Sequence, residues 1–301
     1  MSVIAYLIAA ILLGGGVSVA SQHALPGDLL YPVKIHVNES VEQALTFSPE
    51  AKSKLDSELA ITRLQEAETI AAKSKLSADV RATVEANFKE HADRVEARVK
   101  DMTAADATAS ADLIANFETS LQAHSRILAE LQSKSDSEDE KSQLADLGDS
   151  VDAEHRDAVK EHDAADIGVV GASKASVQSS AEGKKIAASN KISEVQKYID
   201  EKKSGMSAVT LADAVARLAT ARSYFAQGDV ELQAKDYAKA FASYTDAQHT
   251  AQEAKLLLDA NDELEVEVKG VDESDSERDS DSGRSDVKVE APSVHLKAEV
   301  E

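Results

Sequence analysis

Between Pro49 and Pro292 the chain has no proline, so residues 50–291 lack the one side chain that removes a helical hydrogen bond and clashes with the preceding turn. Glycine is nearly as sparing. None lies between Gly27 and Gly148, and Gly168, Gly171, Gly183, Gly205 and Gly228 punctuate the later part of the chain. Alternating β-branched and polar runs of strand length are missing, which leaves the period-2 signal of a sheet without support. The class is all-α. Aromatic residues make up only 4% and tryptophan is absent, so the helices must pack through alanine, leucine and valine rather than around a thick aromatic core.

Capping residues set the helix starts. Ser48-Pro49-Glu50 supplies an N-cap, a first-turn proline and an acid, and predicts a helix to about Lys75 with Ala60, Leu64, Ala67 and Ala71 on one face. Ser77 and Asp79 open a second, with stripe Val80, Val84, Phe88, His91, Val95, Val99 and Met102. Thr103 and Asp106 read as a capping box for a third, with stripe Ile114, Phe117, Leu121, His124, Leu128 and Leu131. These helices predict an antiparallel bundle over residues 22–135.

Ser133 to Lys141 reads as a charged hinge that opens a region of long helices over 136–204. Its first stripe is Leu144, Leu147, Val151, His155, Ala158, His162 and Ala165, ended by Gly168 and Gly171; a thinner seam from Ala172 to Lys203 is interrupted by Gly183. A coiled helical hairpin is expected over 205–262. Its Tyr224, Gly228, Tyr237, Ala240, Tyr244 and Ala247 partly match a tetratricopeptide unit, but Glu231 replaces an aromatic and no proline closes it. Residues 263–301 read as a disordered acidic tail.

Val3 to Leu13 is an apolar run followed by Gly14-Gly15-Gly16 and Ser18-Val19-Ala20, the pattern of a signal peptide with a small-residue cleavage site. Uncut, Val3 to Ala20 gives roughly 27 Å of helix, enough for a membrane anchor. Residues 1–21 are therefore either. Next come Ala24-Leu25-Pro26-Gly27-Asp28-Leu29-Leu30-Tyr31-Pro32-Val33-Lys34 and, further on, Leu45-Thr46-Phe47-Ser48-Pro49. This segment resembles the bacterial DUF5667 family over about residues 24–75, and more diffusely to about 135. The family is uncharacterised, so the resemblance implies an extracytoplasmic helical protein and no activity or functional residue. In physical terms Pro26-Gly27-Asp28 is a turn, Pro32 holds Tyr31 extended, and Leu25, Leu29, Leu30, Tyr31 and Val33 form an apolar clip. Either the clip packs on the first long helices or it binds a partner as an arm.

Chemistry is thinly represented. The net charge of −22, of which −9 falls in residues 262–301, opposes nucleic acid and anionic lipid. Without cysteine there is no disulfide, thiolate metal site or cysteine nucleophile. No phosphate loop, nucleophile elbow or H-E-x-x-H motif occurs. No catalytic residue and no cofactor is expected. His91, His124, His155 and His162 fall on apolar stripes, but Phe88, Leu121, Asp152 and Val159 stand three residues before them, so no Glu-x-x-His pair exists. His155 and His162 are the weak metal candidates, two helical turns apart. The expectation is a non-catalytic extracytoplasmic protein, secreted or held in the membrane by its N-terminal segment alone, with an unidentified protein partner or self-association through its helices. The alternative is metal or pH sensing through the seam histidines.

Overall fold

A computed structural model describes residues 21–103 and 105–264. By its contacts the chain divides into residues 1–269 and 270–301, and the second unit lies outside the described residues. So do the reading of residues 1–21 as signal or anchor, apart from Ser21, and that of residues 263–301 as a disordered tail, apart from Glu263 and Leu264, which are helical instead.

Every regular element among the described residues is helical. A short helix α1 (Tyr31–Val33) runs through a π-helical turn, Lys34–Asn38, into α2 (Glu39–Leu45). Long helices follow as α3 (Pro49–Ala71), α4 (Ala78–Thr103), α5 (Ala107–Lys134), α6 (Glu138–Gly171), α7 (Lys174–Lys202), α8 (Ala208–Gln233) and α9 (Tyr237–Leu264). Helix α3 starts where its residues say it must: the Ser48 hydroxyl accepts from the Ala51 N–H at 3.1 Å, and Pro49 occupies the first turn. It ends at Ala71, short of the expected Lys75. Ser74 takes φ +53° there, a left-handed stop without the glycine that usually marks one.

Cross-helix contacts fix the topology. Asp56 meets His91 and Arg98, which sets α3 and α4 antiparallel, while Glu68–His124 and Glu154–Lys89 set α3 parallel to α5 and α6 parallel to α4. Helices α3 to α6 thus make an up-down-up-down bundle. Its fourth member comes from beyond the expected hinge, which shrinks to residues 135–137 because the Ser137 hydroxyl accepts from the Glu140 N–H and starts α6 at once. The apolar core continues across this turn, from Ala60 through Leu144 to Ala260. Helices α7, α8 and α9 pack on one another, with α9 also lying along α5. A smaller core of Val195, Ile199, Ala214, Leu218, Ala221, Ala251, Ala254 and Leu258 joins them. No helix among the described residues is long and apolar enough to cross a membrane.

Three local expectations are corrected. The N-cap of α5 is Asp106, which accepts from the Ala109 N–H at 3.1 Å. Thr103 is not part of a capping box: it closes α4, its hydroxyl bonded to the Val99 carbonyl and to Ser110. Gly168 does not end α6 but sits inside it, where a Cβ would stand 2.9 Å from the Ala107 Cβ. Gly183 does not interrupt α7, whose buried seam Val177, Ala181, Lys184, Ala188, Val195 and Ile199 passes straight through.

Two glycines should therefore respond oppositely to alanine. Gly183 is exposed with open space around it, so Gly183→Ala should raise stability by about 0.5 to 1 kcal/mol through helix propensity. Gly168→Ala should lower it by about 1 to 3 kcal/mol, since the propensity gain is outweighed by overpacking against Ala107. Urea melts of both variants check this; equal shifts would contradict the close contact of α6 with the start of α5.

Candidate functional site

The segment after residue 20 is tied down by a buried polar lock. Gly27 takes φ +98°, the Asp28 carboxylate accepts from the Leu25 N–H at 2.8 Å, and the Asp28 carbonyl accepts from the Tyr31 N–H. Tyr31 is thereby turned into a helix start instead of the expected extended arm, with Pro32 tolerated because the first turn has no intrahelical N–H to lose. The Tyr31 hydroxyl donates to Glu66 at 2.9 Å and accepts from Arg63 at 2.7 Å. The Arg63 guanidinium, fully buried, also pairs with Glu66 at 3.1 Å and with Glu39, and its carbon stands 5.7 Å from the centre of the Tyr31 ring. Lys34 bonds the other Glu66 oxygen and reaches the Ala24 carbonyl. Two cations and two carboxylates balance around one phenol. Burial pushes the Tyr31 phenol well above its ordinary range, despite the opposing charge of Arg63. Burial acts to lower Arg63, but Glu66, Tyr31 and Glu39 outweigh it and raise it.

Of the clip residues, Tyr31 and Pro26 are buried, Leu25 packs partly against the core, Leu30 is half-buried, and Gly27, Asp28 and Pro32 are exposed. Leu29 is not packed at all, being 94% exposed, because the Pro26–Asp28 turn that aims Tyr31 inward leaves it outside. Arg63, Glu66, Lys34 and Glu39 are not singled out by sequence reasoning. The available signal is a second face on α3, Leu55, Leu59, Arg63, Glu66 and Ile70, whose apolar spacing is interrupted by an opposite charge pair.

Three of the four seam histidines take carboxylate partners from neighbouring helices. His91 Nδ1 lies 3.3 Å from Asp56, His124 Nδ1 lies 2.7 Å from Glu68, and His162 Nδ1 lies 2.7 Å from Glu118. Burial acts to raise Asp56, but the hydrogen bond to His91 and the charge of Arg98 hold it below its ordinary value; burial raises Glu68, which has only His124 against it. A cavity of about 100 Å³ beside His124 is lined by Gln65, Thr69, Ile127, Leu256 and Asp259. His155 is half-buried on α6, and His249, which the sequence does not mark, is buried on α9 with Nε2 unbonded. No three His, Asp or Glu side chains among the described residues converge as a metal site. Elsewhere the same kind of joint recurs: Lys184 of α7 bonds Asp112 of α5 and Gln248 of α9, and Glu253 of α9 pairs with Arg126 of α5 and Arg217 of α8.

Val37, Val41 and Leu45 stand four residues apart on one face of the π-turn and α2, 50%, 53% and 67% exposed, with Phe47 81% exposed just beyond.

A sequence model for a protein family described as a domain of unknown function (DUF5667) matches residues 23–180, which takes in the clip, the four-helix bundle and the start of α7. No curated protein and no solved structure gives a match.

The lock generates the first prediction at this site. Tyr31→Ala should cost about 2 to 4 kcal/mol in urea melts and Tyr31→Phe about 1 to 3, because the latter keeps the ring but leaves Arg63 and Glu66 short of a partner. Leu29→Ser should stay within about 0.5 kcal/mol of the parent. The second concerns pH. Burial holds His155 and His249 below the ordinary imidazole range, so the stability they contribute is present above about pH 6.5 and lost as pH falls toward their folded values. Burial also acts to lower His162, but the Glu118 hydrogen bond and the Asp166, Glu118 and Asp246 carboxylates raise it; its contribution is full below about pH 6.5 and lost as pH rises. Between about pH 7.5 and 5.5, His249→Gln should flatten the acid loss of stability and His162→Gln should steepen it. Parallel profiles would contradict both assignments.

Proposed function

We propose, from the premise that this chain belongs to the DUF5667 family, that it is a non-catalytic helical protein of the cell envelope with a structural or protein-binding role outside the cytoplasm. The observation that carries the reading is the lock at Arg63. It joins the segment that follows the apolar N-terminal run to the four-helix bundle through buried charges, so whatever fixes residues 1–20 also fixes the position of the bundle. The remaining buried polar groups support the same reading. His91, His124, Lys184 and Glu253 are engaged in joints between helices, where they set register rather than face a substrate.

A second reading, envelope pH sensing, is favoured by one observation: His162 faces Glu118 across a helix seam, so its protonation changes the charge of a packed interface. Capture of partners from envelope extracts at neutral and acidic pH separates the two. A constant partner set supports the scaffold, and a set that switches near the midpoint of a His162-dependent transition supports sensing.

The location is tested in the native host. Protease added to spheroplasts should remove a C-terminal tag from the full chain, and deletion of residues 2–20 should leave the tag protected in the cytosol. A full-length chain whose tag is protected in intact spheroplasts would overturn the proposal.

A further inference from the structure

We propose that the apolar face formed by Val37, Val41 and Leu45, continued along the chain by Phe47, rests on the surface of a lipid bilayer. The inference rests on the envelope location proposed above, taken with the alternative in which residues 1–20 are kept as a membrane anchor instead of being removed as a signal peptide. These four side chains are 50, 53, 67 and 81% exposed and fall within eleven residues of chain, a local concentration of exposed apolar side chains. The face cannot turn inward to bury itself, because Tyr31 and Glu39 on the same helical stretch are bonded to the buried Arg63 beneath it.

Its position argues for lipid. The described chain begins at Ser21, which is buried, and the Ser21 hydroxyl accepts from the Asn38 side chain at 2.9 Å. Asn38 directly follows Val37 and precedes Val41 by three residues. Residues 1–20, with the apolar run Val3 to Leu13, therefore join the described chain beside this face, and a bilayer that holds them lies within reach of it.

Charge selects the kind of lipid. Residues 21–48 carry Asp28, Glu39 and Glu42 against Lys34 alone, and Lys34 and Glu39 are engaged in the lock. Lys52 and Arg98 border this helix beside Ser40, Gln43 and Ala44, with Arg98 paired to Asp56; the segment itself, net acidic, adds no cation for anionic headgroups and binds through apolar area to neutral ones.

The chain contains no tryptophan, so a single introduced indole reports cleanly. Full-length Phe47→Trp is incorporated into phosphatidylcholine vesicles with or without brominated acyl chains, and Tyr224→Trp on α8, 40% exposed in the parent, serves as the reference. The expected result is co-flotation of both variants. Emission from the Phe47→Trp chain should be blue-shifted and largely lost in brominated vesicles, while emission from the Tyr224→Trp chain is kept. Adding Val41→Glu to the Phe47→Trp chain should restore most of the lost emission. Co-flotation of the Phe47→Trp chain without quenching overturns the proposal while leaving the anchored reading intact; blue-shifted emission in that case assigns the face to a protein surface. Failure to co-float overturns both.

Discussion

A guanidinium removed from water must have its charge and its N–H groups matched where it stands, and Arg63 is matched from three places in the chain: the Tyr31 hydroxyl from α1 accepts one N–H, and the carboxylates of Glu39 from α2 and of Glu66, one turn away on its own helix, balance the charge. The desolvation cost of such a cluster is large, and its attraction roughly offsets it only when every donor and acceptor is matched. Removing one member leaves a charge buried without its partner, a loss of about 3 to 5 kcal/mol in comparable pairs. The lock is therefore less a source of raw stability than a device for selecting one placement of the N-terminal segment on the bundle.

The same logic extends through the other helices. Small side chains at the seams bring backbones close, as Gly168 against Ala107 and Gly228 against the Tyr244 ring show. Close packing of alanine leaves sliding of one helix along another weakly opposed, since neighbouring turns look alike. Buried polar joints remove that freedom. Lys184 with Asp112, Glu253 with Arg126 and Arg217, and His124 with Glu68 each form at one register only, and together they align α5 with α3, α7 and α9. An alanine-rich chain with little aromatic bulk thereby acquires a unique arrangement.

The helices are legible in the sequence because their start signals are local. Ser48 and Ser77 each accept from an N–H at the head of the helix they open, and stripes such as Ile114, Phe117, Leu121 and Leu128 keep helical period over many turns. Stops are harder to place. Ser74 and Lys235 take the left-handed conformation without glycine, while Gly168 and Gly183, which read as breaks, lie within helices for reasons of packing or of no constraint at all. The polar joints are not legible, because each depends on which helices become neighbours. Nothing near His124 in sequence points to Glu68, 56 residues away, and nothing near Tyr31 points to Arg63. Leu29 and Tyr31, two residues apart, end up one exposed and one buried through the turn at Gly27 and the start of a helix where an extended arm is expected.

The central claim is that the segment from Tyr31 to Leu45 belongs to the same cooperative unit as the bundle, held there by Arg63. Native-state hydrogen exchange tests it most directly, because it reads the opening free energy of each amide. The account predicts that amides of Lys34 to Asn38 exchange with the same free energy as those in the middle of α3 and α5, and that both sets fall together as urea is added. Exchange of the Lys34 to Asn38 amides through a low-energy local opening, with α3 and α5 still protected, would contradict it.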